Sequence, residues 1–294
     1  MTVKVAAVAL DTLAVVGVGL IGGSFAAALK ATGAVRHVIG AGRSRANLDR
    51  ALALGVIDAV AEDPAAAAAA ADLVFVAVPV QQTESVLRQI ARHLRPDAIV
   101  TDGGSTKQDV IAAAERALGA RAAQFVPAHP IAGAEQSGVE AASALLYRDR
   151  LVVLTPTAAT RPEAAARVHA LWAVCGARVL DMDAARHDAV FAAVSHLPHV
   201  LAFALVHEIA TRPDASELFS FAGSGFRDFT RIAGSSPEMW RDIALANRQA
   251  LLAELDAYRA QLDRLAHCIA QGDGAQLASM FETARSARAR WLAK

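Results

Sequence analysis

The sequence predicts an α/β fold, a doubly wound parallel sheet followed by an all-α region. Three observations carry that prediction. From residue 13 to about 181, short β-branched runs alternate with helical stretches, the pattern of successive βαβ units. A glycine turn, Gly17-Val18-Gly19-Leu20-Ile21-Gly22, joins the first of those runs to the first helical stretch. After Asp183 the strand-like runs stop and long helical patterns take over. The boundary is therefore expected near residue 182, giving domains 1–182 and 183–294.

Seven strands are expected, at Leu13–Val16, His37–Gly40, Leu73–Val78, Ala98–Thr101, Gln124–Val126, Leu151–Leu154 and Arg178–Leu180. The segment before Leu13 reads as a loosely packed lead-in or a tail. The alanine run from Ala65 to Ala71 reads as a helix built from the residue that costs least to place in one. Gly103-Gly104-Ser105 follows the fourth strand and precedes a helical stretch from Thr106 to Leu118. Further on, apolar or aromatic residues fall at 240, 243, 251, 255, 258, 262, 265 and 269, with Asn247 at the missing step. That spacing of three and four lays one stripe along a single helix. A stripe of this length requires a partner surface, either the rest of a helical domain or a second subunit.

Composition excludes several classes. With 54% hydrophobic and 20% charged residues the 294-residue chain can bury a substantial core. The net charge of zero, with no polybasic block, gives no support to nucleic-acid binding, so an anionic ligand would be held by locally placed Arg or Lys. Cys175 and Cys268 stand far apart and form no metal or redox motif, as expected of a reducing compartment. The apolar N-terminus is interrupted by Asp11 and no cleavage pattern follows. Neither a signal peptide nor a membrane span is read, and a cytoplasmic location is expected.

Gly17, Gly19 and Gly22 match G-x-G-x-x-G between a strand and a helix. The first glycine permits the tight turn and the second lets the backbone approach a pyrophosphate. The third allows close helix–strand packing, while the helix N-terminus attracts the phosphate charge. This is the dinucleotide-binding turn of a Rossmann domain. An acidic residue would ordinarily follow the second strand to bond the ribose 2′-hydroxyl, but Gly42-Arg43-Ser44-Arg45 stands there. An arginine cannot accept from that hydroxyl, yet it can pair with a 2′-phosphate and stack on adenine. The cofactor is thus NAD or NADP, with Arg43 leaning towards NADP. The candidate cofactor contacts are Gly17, Gly19, Leu20, Ile21, Gly22, Arg43, Ser44, Pro79 and Ser105.

His129, in Pro127-Ala128-His129-Pro130, lies just past an apolar strand, where open α/β sheets bind their ligands. An imidazole of ordinary pKa suits removal of a hydroxyl proton near neutrality. Ser105 offers a hydroxyl near the same rim, or simply a helix cap. Arg227 and Arg231 lie four apart. Their apolar neighbours Phe226, Phe229 and Ile232 predict partial burial, hence an anionic partner in Asp228 or a ligand. His196 and His199 have no further ligand at supporting spacing and enclose Pro198, so no metal site is read. Asp181, Asp183 and Asp188 around His187 read as helix-start charges.

Five motifs stand in one order: Gly-Val-Gly-Leu-Ile-Gly-Gly-Ser at 17–24, Thr-Asp-Gly-Gly-Ser-Thr-Lys at 101–107 and His-Pro-Ile-Ala-Gly at 129–133, then Ser-His-Leu-Pro-His at 195–199 and Gly-Phe-Arg-Asp-Phe-Thr-Arg-Ile-Ala at 225–233. With them the chain resembles the prephenate dehydrogenase family, including its cyclohexadienyl and arogenate dehydrogenase members, from about residue 12 almost to the C-terminus. The resemblance implies a Rossmann domain followed by a helical dimerisation domain, and oxidative decarboxylation of prephenate to 4-hydroxyphenylpyruvate on the tyrosine pathway, with the choice between prephenate and arogenate left open. His129 would match the family's base and Ser105 the serine that orients the ring hydroxyl. Arg231 would match the arginine for the ring carboxylate, and His199 and Glu135 would line the substrate pocket. Trp240 would match a tryptophan reaching the site from the partner of a homodimer, which would make the long stripe a dimer interface.

Two other readings compete. A β-hydroxyacid dehydrogenase also pairs a Rossmann domain with helices, but such enzymes typically use a lysine in the helical domain. Here no lysine lies between Lys107 and Lys294. A catalytically silent NAD(P)-sensing protein would keep the glycine turn without needing His129, Ser105 and Arg231 together.

Overall fold

The computed structural model describes residues 9–133, 136 and 138–293. A six-stranded, all-parallel sheet is built from β1 (Leu10–Val16), β2 (Val35–Ala41), β3 (Ala59–Val60), β4 (Leu73–Val76), β5 (Ile99–Asp102) and β6 (Phe125–Val126), in the order β3-β2-β1-β4-β5-β6. The helices between them are α1 (Leu20–Ala31), α2 (Arg45–Ala53), α3 (Pro64–Ala70), α4 (Thr83–Ile90) and α5 (Gln108–Leu118). Strand order reverses between β1 and β4, and a crevice opens there at the strands' carboxyl ends.

Both faces of the sheet are covered, so its strands are apolar on both sides rather than alternating. Leu13 and Val15 of β1 and Phe75 of β4 pack with Phe25 of α1, whereas Ala14, Val16, Val74 and Val76 pack on the opposite face with Leu87 and Ile90 of α4. The alanine run does form a helix. Asp63 caps it by accepting from the N–H of Ala66 at 2.7 Å, Pro64 opens it, and Ala67 and Ala68 are buried.

Several expectations are corrected. β1 begins at Leu10, which is buried and donates its N–H to the Ala34 carbonyl, so residues 10–12 belong to the sheet; residues 1–8 lie outside the described set. The last expected strands do not extend the same sheet. After β6 the chain forms β7 (Ala128–Pro130), which pairs antiparallel with β8 (Leu151–Leu154), itself parallel to β9 (Arg178–Asp181). His129, expected just past a strand, is therefore inside a short strand of its own. Between β8 and β9 runs α6 (Pro162–Val174), whose Trp172 packs on Phe25 and Phe75 at centroid distances of 4.5 and 5.7 Å.

From residue 184 the chain is helical: α7 (Ala184–Phe191), α8 (Leu197–Ala210), α9 (Ala215–Ser220), α10 (Ser224–Thr230), α11 (Pro237–Ala246), α12 (Arg248–Gln271) and α13 (Gly274–Leu292). A π-turn at Ala192–His196 joins α7 to α8. Pro198 follows it: proline has no N–H and crowds the carbonyl four residues back, which a wider turn accommodates. By length and composition the joined helix Ala184–Ala210 could cross a membrane. In this fold it carries His187, Asp188 and His196, three of the buried polar residues of the site.

Compact packing divides the chain after Asn247, since α7 touches α5 and α11 touches the turn after β4, which joins the helices before Arg248 to the sheet domain. The expected single helix from Trp240 to Ile269 is also interrupted at Asn247, which ends α11 with φ −99° and ψ 28°. The second unit, from Arg248, consists of α12 and α13, separated by Gly272 at φ +65° and capped by Asp273.

Candidate active site

The glycine turn shows why each glycine is needed. Gly17 has φ +96°, and a Cβ on it would lie 2.4 Å from the Ala77 carbonyl oxygen beyond β4. A Cβ on Gly22 would lie 2.2 Å from the Gly17 oxygen, so both are fixed by close backbone approach. Gly19 differs. Nothing lies within 4 Å of the Cβ it lacks, although it caps α1. The open face thus sits where the N–H groups of Leu20, Ile21 and Gly22 begin the helix, the geometry that receives a phosphate. These residues fit a dinucleotide. Tyr147 secures the same turn by donating its hydroxyl to the Ile21 carbonyl at 2.7 Å.

Pro79 stands just beyond β4 and Ser44 caps α2 by accepting from the Asn47 N–H at 3.2 Å. Asn47 in turn donates to the Val18 carbonyl at 2.7 Å, tying α2 to the glycine turn. Arg43 is exposed at the end of β2.

The chemical centre is assembled around Asp102, at the end of β5. One carboxylate oxygen accepts from the Ala128 N–H at 2.9 Å; the other accepts from Gly104 N–H at 2.8 Å and pairs with Lys107. The Lys107 ammonium, wholly buried, also donates to the Ala128 carbonyl at 2.8 Å. Both polar backbone groups of Ala128 are therefore clamped, and His129 follows it directly. A buried lysine is tolerated only with such partners.

His129 Nδ1 lies 2.8 Å from His187 Nε2, and His187 Nδ1 lies 2.8 Å from Asp188 Oδ1. Asp188 also accepts from the N–H groups of Lys107 and Gln108, at 2.8 and 3.0 Å, at the start of α5. Phe191 packs on both imidazoles at centroid distances of 4.8 and 4.5 Å. Burial pushes the His129 and His187 pKa values down, aided at His129 by His187 and Lys107. For Asp188, burial acts upward, but the bonds from His187, Gln108 and Lys107 prevail and hold it below the usual carboxylate value.

Beyond this row, Asn247 donates to the Asp188 carbonyl at 2.8 Å and lies 3.0 Å from His196 Nδ1. His199 Nδ1 donates to the Ser195 carbonyl at 2.9 Å, so its Nε2 is an acceptor when neutral. His199 stacks on Trp240 with centroids 3.6 Å apart and an 18° interplanar angle. The indole and the imidazole of this stack belong to one chain. His196 Nε2 and Trp240 Nε1 are buried without a hydrogen-bond partner among the described residues. Burial lowers the His196 pKa to about 4, while the His199 value is lowered by burial and by the charge of Arg231.

The structure brings His199, Trp240 and Arg231 together, Arg231 through its electrostatic effect on His199, while His129 joins them only by way of His187 and His196. Phe226 and Ile232 are half-buried as expected, whereas Arg227, Asp228, Phe229 and Arg231 are exposed. Ser105 lies on the turn between Asp102 and Lys107, half-buried. Glu135 lies outside the described residues. Sequence reasoning missed Asp102, Lys107, His187, Asp188 and Asn247 as site residues and assigned Asp188 to a helix start. The available signal was polar residues inside apolar helical runs, Asp188 before Ala-Val-Phe above all. Among the described residues no group of three or more His, Cys, Asp or Glu is placed to hold a metal.

Two family models match in tandem. Residues 25–181 match the prephenate dehydrogenase nucleotide-binding domain and residues 183–283 the prephenate dehydrogenase dimerization domain. The chain belongs to the prephenate dehydrogenase family. It is 38% identical over 280 residues to the prephenate dehydrogenase of Bacillus subtilis, covering 95% of this chain and 75% of the relative. It is also 38% identical to the cyclohexadienyl dehydrogenase of Zymomonas mobilis, covering 94% of each. Among solved structures, the prephenate dehydrogenase of Aquifex aeolicus in complex with hydroxyphenyl propionate and NAD+ matches with a TM-score of 0.89 and 36% identity, over 95% of this chain and 97% of that one. The Synechocystis arogenate dehydrogenase matches with a TM-score of 0.79 and 31% identity, over 95% and 99%. Within the family frame, the turn of Gly17 to Gly22 leads into the nucleotide-binding match, and His187 to Trp240 fall in the second domain.

Proposed function

We propose that the chain oxidatively decarboxylates prephenate to 4-hydroxyphenylpyruvate with NAD(P)+, in tyrosine biosynthesis, and accepts arogenate as a second substrate. We also propose that it works as a cytoplasmic homodimer divided functionally near residue 182. The observation that carries the chemistry is His129, held at Nδ1 by His187 and desolvated, in a member of this family.

The nicotinamide, when bound, supplies a hydride acceptor. The Gly17–Gly22 turn and the start of α1 hold the pyrophosphate, and Pro79 and Ser105 border the crevice. His129 accepts the proton of the ring hydroxyl as the hydride departs from the same carbon, leaving a carbonyl. The bond from the ring to its carboxylate then breaks, CO₂ leaves, and the bonding pair aromatises the ring. The ring oxygen takes the proton back from His129. Ser105 orients the hydroxyl, while Arg231 binds the ring carboxylate. Because that carboxylate leaves as a neutral molecule, a tight pair would favour the ground state, so Arg231 contributes mainly to binding and alignment. His199 and Trp240 line the pocket for the substrate side chain, a role the family resemblance also assigns to Glu135. The buried N–H groups of His196 and Trp240 lack acceptors, which supports an oxygen-rich ligand there.

Arg43 offers a guanidinium where a 2′-phosphate would lie, so NADP+ is the expected better oxidant. For the homodimer, support comes from the dimerization-domain match and from Leu262, Ile269, Phe281 and Trp291, exposed on α12 and α13. The test is nicotinamide reduction with purified protein, crossing prephenate and arogenate with NAD+ and NADP+. Turnover of prephenate with either cofactor supports the reading. A folded protein that binds cofactor and reduces it with neither substrate would point to the silent sensor.

A further inference from the structure

We propose that His187 and Asp188 are positioning residues that lock His129 in the tautomer whose Nε2 carries the free lone pair. The inference rests on reading His129 as the base and goes beyond it, because it says which nitrogen acts and what decides this.

The polarity of the row is set from its far end. Asp188 accepts from Lys107 N–H, Gln108 N–H and Gln108 Nε2, the last at 3.2 Å, so the group that faces His187 is an ionised acceptor. The 2.8 Å contact to His187 Nδ1 therefore requires that nitrogen to donate. A neutral His187 then has a bare Nε2, which accepts from His129 Nδ1 at 2.8 Å. His129 Nε2 is left as the acceptor, facing away from the row. Each step follows from the inventory of donors and acceptors.

The same logic identifies what would break it. A protonated His187 donates from both nitrogens, which forces His129 Nδ1 to accept and puts a proton on Nε2, the wrong tautomer for a base. The groups bearing on His187 are Asp188 on its own helix, His129 on β7, Lys107 and Asp102 at the start of α5 and the end of β5, and His196 on the π-turn. Full burial of His187 opposes its protonation, and Lys107 adds to that effect. When His129 takes a proton, the resulting imidazolium keeps its Nδ1–H bond to His187, with the Asp188 charge beyond it. No proton needs to travel along the row.

A purely structural alternative exists, in which Asp188 only caps α5 and His187 only fills space. Two measurements separate them. Nitrogen-15 NMR of the imidazoles, with His129 assigned by its loss in His129→Asn, reads the tautomer directly and needs no substrate. We expect His129 protonated at Nδ1 and bare at Nε2 near neutral pH; the reverse tautomer would overturn the proposal. This holds whether or not prephenate is the substrate, so failure of the proposal and failure of the functional reading are distinguishable. In turnover, His187→Phe keeps the aromatic packing but removes the acceptor, and kcat should fall by about 10²-fold with KM and cofactor affinity little changed. His187→Gln can present its amide oxygen to His129 Nδ1, should recover a large part of that loss, and should remove the His187 titration from the acid limb of the pH profile. A folded His187→Phe with parental kcat sinks the proposal. If that variant does not fold, His187→Gln decides: kcat far above that of His129→Asn supports it, and loss equal to His129→Asn contradicts it.

Discussion

His129 Nδ1 and His187 Nε2 are 2.8 Å apart, although the two residues are 58 positions apart in sequence and belong to different family domains. The contact spends the Nδ1 side of His129 on the protein and leaves Nε2 for chemistry. Replacing His129 with Asn should lower kcat by about 10²–10⁴-fold, the usual contribution of a positioned base. Cofactor affinity, measured by fluorescence quenching, should be unchanged. Near-normal turnover in this variant would remove His129 from the mechanism.

The glycine turn gives a paired prediction. Gly17→Ala forces a Cβ to 2.4 Å from a carbonyl oxygen at a φ of +96°, so both stability and cofactor binding should suffer. Gly19→Ala meets no protein atom, so its melting temperature should match the parent while cofactor affinity falls. Equal cofactor affinity in Gly19→Ala would mean that the phosphates do not approach this backbone.

Lys107→Met should be among the most damaging changes in the sheet domain. It leaves the Asp102 carboxylate buried without its counter-charge, which typically costs about 3–5 kcal/mol. Urea denaturation reads the loss, and a change below about 1 kcal/mol would show that the pair contributes little beyond packing.

Stability should fall on mild acidification. His196 stays neutral in the folded protein down to about 4, whereas in the unfolded chain it takes a proton near 6.5. Between those values the unfolded state binds more protons, so the contribution is fully present above 6.5 and lost as pH falls towards 4. The loss is on the order of 3 kcal/mol. His129 and His187, lowered in the same direction, add to it, and Asp188 adds a further loss only at still lower pH. Denaturation midpoints that stay flat across this window would contradict the buried neutral imidazoles.

Arg231→Ala should raise KM for prephenate strongly and affect kcat less, since the carboxylate it binds departs during the reaction. An unchanged KM would move the carboxylate site elsewhere.

The sheet domain was largely legible because its strands are continuous apolar runs and its first turn uses glycine for steric reasons. The three-residue β7 was not, since Pro127 and Pro130 in so short a run read as a loop. The helix break at Asn247 was hidden because a buried polar side chain can fill a step in an apolar stripe. It does so here by bonding Asp188 and His196. His187 and Asp188 resisted reading for a related reason. Adjacent in sequence, they serve partners on other elements, the α5 start lying 81 positions from Asp188. Local pattern carries no trace of such contacts.

The most direct test of the account is the stoichiometry of the reaction. CO₂ released and nicotinamide reduced should be measured together, with prephenate as substrate, for the parent and for His129→Asn. The account predicts one CO₂ for each reduced nicotinamide in the parent and parallel loss of both in the variant. Nicotinamide reduction without CO₂, or CO₂ release that persists undiminished in His129→Asn, would contradict it.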